Sequence, residues 1–165
     1  MALFSAARTN ATASITAGAK SSLALTAFTN RKMKVNELSQ IGTGNTSAAA
    51  AYFEHQIIPA TGIGSGAITA IVPVKLEADS ASSVCFATQS LATSDPTIGA
   101  TGTQWLNLGC NVYGGIYRWV ARPNGEIVLR NIAATGVGAA GTLVCWNILA
   151  STTAVYSLHT VWDEL

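Results

Sequence analysis

The sequence predicts an all-β protein: a single antiparallel β-sandwich, jelly-roll-like, of about eight or nine strands. Two observations lead to this prediction. From Ser22 onward, runs rich in β-branched and aromatic residues alternate with clusters of Gly, Ser, Thr and Asn, which is typical of sandwiches and barrels. The chain of 165 residues is long enough for one hydrophobic core and short for two. We therefore expect one sandwich domain over residues 21–165.

The strands are predicted near residues 22–29, 32–41, 51–58, 68–77, 83–91, 105–113, 142–149 and 155–164, with a hairpin at 115–130. In the last strand, Tyr156, Leu158 and Trp162 alternate with polar residues, so that one face is expected to be core. Residues 48–51 are compatible with a short helix, but the stretch that follows favours a strand.

Residues 1–20 are small and weakly hydrophobic, which indicates an extended N-terminal arm outside the sandwich. Such an arm can add a strand to the sheet edge of a neighbour. Phe4 and Arg8 are its candidate partner contacts. We expect a protein that lacks residues 2–20 to keep a folded sandwich and to lose its attachment to the partner.

The segment 115–130 predicts a β-hairpin with a definite register. Pro123 and Asn124 take the central places of a type I turn, and Gly125 takes the left-handed place after them. This register puts an apolar set on one side of the hairpin: Tyr117, Trp119, Ala121, Ile127 and Leu129.

The same register places Arg118 opposite Arg130, and like charges directly across a sheet are destabilising. We hypothesise that an acidic group, from this chain or a neighbouring subunit, lies between them. Both arginines are candidate partner contacts. The basic run Arg31, Lys32 and Lys34 at the entrance of a strand supplies the others.

The composition favours an assembly component. Charged residues make up 10% of the chain, the formal net charge is +1 and the mean hydropathy is +0.36. A free monomer of this kind has little charge repulsion, so we expect other copies to cover part of its surface. The low net charge argues against nucleic-acid binding, and an unbroken apolar run long enough to span a membrane is absent. A secretory signal is not evident.

Motifs that suggest chemistry are weak in this sequence. Residues 136–141 match the glycine pattern of dinucleotide sites, but β-rich residues follow where that site requires a helix. His55 and His159 lack metal-site spacing, and each is expected to be an ordinary strand residue. The cysteines are expected to be buried thiols: Cys85, Cys110 and Cys145. We predict a protein that is not an enzyme, without catalytic, cofactor or metal residues; a Ser, His and Asp arrangement formed only in space stays open.

Several stretches resemble, in matching order, small β-sandwich proteins of tailed bacteriophages. They are residues 31–37 leading to 42–47, residues 72–79 and residues 118–128, together with the loop 136–138 and the acidic end of the last strand at 162–164. Over about residues 22–164 the chain resembles the capsid decoration, or cement, proteins of these phages.

The resemblance implies a virion structural protein, made in the host cytoplasm, that sits on the outer surface of the capsid. It further implies a homotrimer that bridges neighbouring major capsid subunits and stabilises the lattice. The partners would be the major capsid protein and copies of the chain itself. Catalytic residues and cofactors are not implied.

Two alternatives use the same fold class. The first is a carbohydrate-binding, receptor-recognition module of a tail fibre, for which Trp105 with Asn107, or Tyr113 with Asn111, would supply the platform. The second is a jelly-roll coat protein of a small virus. The chain is short for that role and lacks a strongly basic arm.

Overall fold

The computed structural model describes residues 2–13, 20–28, 31–45, 52–62, 66–79, 81–83, 85–92, 97–98, 105–111, 113, 115–130, 142–150 and 154–165. The strands are β1 (Ala2–Ala13), β2 (Lys20–Thr26), β3 (Lys32–Asn45), β4 (Tyr52–Gly62), β5 (Gly66–Ile71), β6 (Val74–Lys75), β7 (Phe86–Ala92), β8 (Thr97–Ile98), β9 (Leu106–Asn111), β10 (Ile116–Val120), β11 (Ile127–Arg130), β12 (Thr142–Ala150) and β13 (Ala154–Glu164). The described residues contain no helix able to span a membrane. Residues 48–51 and the glycine motif at 136–141 lie outside the described residues.

The strands form two antiparallel sheets, which confirms the predicted all-β class. Sheet A has the order β10-β3-β13-β1-β6, with β11 also paired to β3. Sheet B has the order β5-β7-β2-β12-β4-β8, with β9 also paired to β4. The described strands outnumber the predicted ones because β1 and β8 were not expected and the predicted strand 68–77 is divided into β5 and β6.

The core lies between the two sheets. The inner faces of both contribute to one cluster of buried side chains, with Phe4, Tyr156 and Trp162 from sheet A and Leu23, Phe53 and Leu108 from sheet B among its members. Phe4 stacks on Trp162 with ring centroids 6.1 Å apart. The predicted alternation in β13 is confirmed, because Tyr156 and Trp162 are buried while Ser157 is only half-buried.

The N-terminal segment is a strand of the sandwich. β1 pairs with β13 from Ala2 opposite Glu164 to Ala13 opposite Ala154, and Phe4 is only 1% exposed. The interpretation of residues 1–20 as an arm outside the sandwich is therefore wrong for Ala2–Ala13. Phe4, Ala6 and Arg8, at alternate positions of β1, are buried on its inner face.

The predicted hairpin does not form. β10 and β11 both pair with β3, at Ile116–Val120 and Ile127–Arg130 respectively, so that they follow one another along the same edge. Arg118 consequently lies opposite Ser39, and not opposite Arg130. The physical reason is the length of β3, which offers both segments a partner at once. The prediction that Trp119, Ile127 and Leu129 face the core is confirmed, although their predicted partner strand is wrong.

The turn between β10 and β11 differs from the predicted one in its left-handed residue. The N–H of Gly125 donates to the carbonyl of Arg122 at 2.7 Å, and Asn124 has a φ of 64°. Pro123 followed by a residue of positive φ is the pattern of a type II turn, whereas the sequence predicted type I with Gly125 left-handed. The turn bulges away from β3 and lets the chain resume pairing at Ile127.

The predicted strand 68–77 is interrupted at Pro73, which has no N–H to donate to a sheet. The chain leaves sheet B at the end of β5 and reaches the edge of sheet A as β6. There Val74 lies opposite Ser5, and the N–H of Leu76 donates to the carbonyl of Leu3 at 2.9 Å. The proline therefore brings this segment from one sheet to the other.

Candidate interface

Two of the predicted partner contacts are core residues. Phe4 is 1% exposed and Arg8 is 6% exposed, both on the inner face of β1. Neither side chain is available to a partner, so both predictions are corrected. The reason is the pairing of β1 with β13, which turns these side chains toward sheet B.

Arg8 belongs to a buried polar network that sequence reasoning missed. Its guanidinium donates to the carbonyl of Ser22 and lies 6.0 Å from the ring centroid of Tyr156. The hydroxyls of Ser22 and Tyr156 are 2.6 Å apart, and Ser22 Oγ is 2.9 Å from Nε2 of His55. The sequence contains no signal for this network, because Arg is seldom fully buried in proteins and His is buried only at intermediate frequency.

The hydrogen-bond directions of the network follow from Gln40. Its amide nitrogen donates to the carbonyl of Leu108 at 3.2 Å, so its Oε1 is the atom that faces Nδ1 of His55 at 2.7 Å. An amide oxygen only accepts, and Nδ1 of His55 therefore carries the proton. Nε2 then accepts from Ser22, and Ser22 accepts from Tyr156. Each hydroxyl and each ring nitrogen is satisfied.

A histidine beside a serine is the arrangement that activates a nucleophile, but here it lies out of reach of a substrate. Ser22 is 3% exposed and His55 is fully buried. Burial, with a smaller contribution from the charge of Arg8, lowers the pKa of His55 to about 3. The imidazole is therefore neutral at physiological pH, and the group holds the two sheets together.

Metal and thiol chemistry receive no support from the described residues, in which no group of three or more His, Cys, Asp or Glu is placed to hold a metal ion. Cys85 and Cys145 are free and buried, as expected. Burial raises the pKa of Cys85 to about 11 and that of Cys145 to about 12. The side chain of Cys110 lies outside the described residues.

Arg118 is exposed on the outer face of sheet A and meets an acidic group, Glu37. Its Nε and Nη2 donate to the two carboxylate oxygens of Glu37 at 2.8 and 2.7 Å. The hydrogen bond from Arg118 lowers the pKa of Glu37. The expectation of a carboxylate near Arg118 is met from within the chain, but this carboxylate does not lie between Arg118 and Arg130, which are not opposite one another.

The other predicted contacts gather at one end of the β3 and β11 edge. Arg130 lies opposite Lys32, and Lys34 lies opposite Val128. Arg31 is exposed just before β3. We call Arg31, Lys32, Lys34 and Arg130 the basic edge.

Exposed aliphatic side chains lie along the same edge on the outer face of sheet A. Ile116 is 68% exposed and faces Ile41 on the neighbouring strand, and Val120 and Val128 are exposed farther along. The sequence analysis assigned the apolar residues of the other face, such as Trp119 and Leu129, to the core, and it gave no role to Ile116, Val120 and Val128. Their alternation with Tyr117 and Trp119 was the signal that could have found them.

The opposite edge of sheet A, at β6, carries a second exposed aliphatic group. Val72 is 82% exposed, and Val74 and Leu76 are also exposed. The exposed acids Glu77 and Asp79 follow. We call residues 72–79 the β6 edge. Alternating aliphatics around Pro73 are typical of an edge strand, and this signal was present in the sequence.

Comparison of the chain with protein-family models, with curated proteins and with solved structures found no match. The case for a function therefore depends on the geometry of the chain itself.

The aromatic residues of the carbohydrate alternative are exposed, but they do not form one platform. Trp105 and Tyr113 flank opposite ends of β9. Asn107 lies on the same strand face as Trp105 and donates from its amide to Glu54. At Tyr113 the backbone N–H donates to Oδ1 of Asn111 at 2.9 Å. A polar residue therefore accompanies each aromatic one, Asn107 at Trp105 and Asn111 at Tyr113.

Proposed function

We propose that the protein is a virion structural protein that decorates the outer surface of a bacteriophage capsid and bridges neighbouring major capsid subunits. The observation that carries this proposal is exposed aliphatic surface at both edges of sheet A, in a chain with only 10% charged residues. Exposed apolar surface of this kind marks sites of protein contact.

The proposed role is mechanical. A sandwich with a satisfied polar network between its sheets is a rigid body, and its edges present the contact groups. Many copies on a lattice bind through several weak contacts each, so that avidity supplies the strength. The protein would be made in the host cytoplasm and join the particle there, without a cofactor and without a catalytic step.

Purified particles of the phage that encodes the chain test the proposal. We expect mass spectrometry to find the protein in them at high copy number, and density on the outer capsid surface. Particles that lack the protein should lose heat resistance and regain it when recombinant protein is added. Absence of the chain from purified particles contradicts the proposal.

A carbohydrate-binding function is the second candidate, because Trp105 is exposed on the same strand face as Asn107 and Glu54 is hydrogen-bonded to that amide. A sugar ring can stack on an exposed indole while neighbouring polar groups bind its hydroxyls. A glycan array is the direct test, with Trp105→Ala as the variant that should lose any signal. Tyr113→Ala tests the other place, beyond the opposite end of β9, and a glycan signal that survives both substitutions contradicts this candidate.

A further inference from the structure

Between β6 and β7 the chain crosses from sheet A to sheet B. We call the described residues of this connection, 76–79, 81–83 and 85, the strap. Its exposed residues are Leu76, Glu77, Ala78, Asp79, Ala81 and Ser82. Ser83 is half-buried, and only at Cys85 does the strap enter the core. A connection with so little buried surface has low local stability, so the contacts at its end determine how firmly it is held.

One carboxylate, that of Glu164 at the end of β13, holds the end of the strap. Its Oε1 accepts from the hydroxyl of Ser83 and from the backbone N–H of Cys85, the latter at 3.3 Å. The same oxygen accepts from Nε1 of Trp162 at 3.2 Å. Trp162 is fully buried and stacks on Phe4. Because hydrogen bonds to a carboxylate are stronger than neutral ones, Glu164 fastens the strap to a well-packed part of sheet A.

The two described thiols differ in what must open before a reagent reaches them. Cys145 lies in β12, which is paired with β2 on one side and with β4 on the other. Its exposure therefore requires the strands of sheet B to separate. Cys85 precedes β7, directly after the contacts of Glu164. Loss of these contacts would expose Cys85 while both sheets stay folded.

The strap also continues directly from the β6 edge. β6 is only two residues long, and Val74 lies opposite Ser5 on β1. The N–H of Leu76, the first residue of the strap, donates to the carbonyl of Leu3 at 2.9 Å. A strap that is fastened at Glu164 therefore helps to keep the exposed aliphatic side chains of the β6 edge in place against β1.

We propose that the strap opens locally while both sheets stay folded, that Glu164 is the latch that holds it closed, and that closure positions the β6 edge for its partner. The inference deepens the proposed function and rests on it only for the partner of the β6 edge. A partner that binds the closed form alone must also stabilise the closed latch, by linkage. The thiol of Cys85 reports the open state.

Thiol labelling resolved by mass spectrometry tests the latch. The full chain is treated with iodoacetamide, and the modification of Cys85 and of Cys145 is followed separately. We expect Cys85 to react at least about tenfold faster than Cys145, at a rate that depends weakly on urea, because a local opening exposes little surface. Cys145 should react through global unfolding, so its rate should rise steeply with urea.

Variants of the latch should change the ratio of the two rates. Glu164→Ala should raise the rate at Cys85 about tenfold relative to Cys145, because the hydrogen bonds of the strap are lost. Glu164→Gln keeps an oxygen acceptor and should give a smaller rise. Ser83→Ala should also raise the ratio, whereas Ser82→Ala, at the exposed neighbouring serine, is the matched control and should leave it unchanged. The comparison with Cys145 corrects each variant for a loss of global stability.

The inference is overturned if Cys85 and Cys145 react at the same rate with the same steep urea dependence. An unchanged ratio in both Glu164→Ala and Ser83→Ala would overturn it as well. Protein bound to particles should react at Cys85 about tenfold more slowly than protein in solution, because the bound partner disfavours opening. An unchanged rate at Cys85 in bound protein would refute the positioning of the β6 edge by the latch.

The failure of this inference and of the proposed function are distinguishable. A protein that is abundant on purified particles, but whose Cys85 reacts only through global unfolding, refutes the latch and leaves the decoration role. A protein that is absent from particles, but whose Cys85 reacts by local opening and faster in Glu164→Ala, refutes the decoration role and leaves the latch.

Discussion

Nδ1 of His55 donates to Oε1 of Gln40 across a distance of 2.7 Å, and this bond joins sheet B to sheet A inside the core. On its other side the imidazole accepts from Ser22, which accepts in turn from Tyr156 on sheet A. A buried network in which every member is satisfied specifies one alignment of the two sheets, because sliding either sheet would leave polar atoms unpaired.

Acid should weaken the fold through His55. Its pKa is about 3 in the folded protein and near 6.5 in the unfolded chain, so between these values only the unfolded chain takes up the proton. Stability should therefore fall as the pH drops from about 6.5 to about 3, by up to ~1.4 kcal/mol per pH unit from this residue. Urea unfolding at a series of pH values measures the slope.

His55→Gln is the variant that isolates this effect. It should be less stable than the wild type at neutral pH by about 1–3 kcal/mol, because Ser22 and Gln40 lose a partner, but its stability should fall less steeply in acid. Glu37 and other carboxylates act in both proteins and cancel in the difference. His159→Gln, on the outer face, should keep near wild-type stability at neutral pH. Equal slopes for wild type and His55→Gln would contradict the prediction.

β1 should be indispensable for folding. Deletion of Ala2–Ala13 removes a strand from sheet A and empties the space of Phe4, so the truncated chain should be unfolded by circular dichroism, contrary to the expectation from sequence. Phe4→Ala in the full chain should cost about 3–5 kcal/mol. Ala7→Ser, on the exposed outer face of β1, should change stability little. A truncated chain with a cooperative thermal transition would restore the arm interpretation.

The fold class could be predicted from the sequence because alternation is a local property. The Tyr156 to Trp162 face of β13 follows from a period of two, and so does the inward side of Trp119 and Leu129. Strand partners are not local. The pattern of 115–130 fits a hairpin as well as it fits two segments on β3, and only the length of β3 in the folded sheet decides between them.

The positions of the candidate contact residues could be predicted only in part, for the same reason. Lys32, Lys34 and Arg130 are surface charges wherever their strands pair, and the structure brings them together. Arg8 was assigned to a partner surface because residues 1–20 were interpreted as an arm outside the sandwich. The structure buries it because Ser22 and Tyr156, which are distant in sequence, provide a carbonyl oxygen and an aromatic ring beside it. Sequence alone does not show that proximity.

The stability of the turn between β10 and β11 should depend on the residue at position 124. This dependence distinguishes the observed turn, in which Asn124 is left-handed, from the predicted one, in which Gly125 is. Asn124 has a φ of 64°, where a Cβ costs roughly 1–2 kcal/mol unless the residue is Asn, Asp or Gly. Asn124→Ala should therefore destabilise the protein by about 1 kcal/mol, and Asn124→Gly should not. Thermal unfolding of the two variants measures the difference. Equal stability of Asn124→Ala and wild type would contradict a left-handed residue at this position.

Thr160 offers a stabilising substitution in the core. Its side chain is buried on the inner face of β13, opposite Ala6 on β1 and Leu38 on β3, and its hydroxyl has no hydrogen-bond partner among the described residues. A buried hydroxyl without a partner costs free energy that a methyl group of the same size does not, and valine favours strands. Thr160→Val should therefore raise the free energy of unfolding by about 1 kcal/mol in urea titrations. Thr43→Val, at an exposed position of β3, is the matched control and should change it little. Because the two substitutions exchange the same atoms, a loss of stability confined to Thr160→Val would mean that its hydroxyl has a partner in the core.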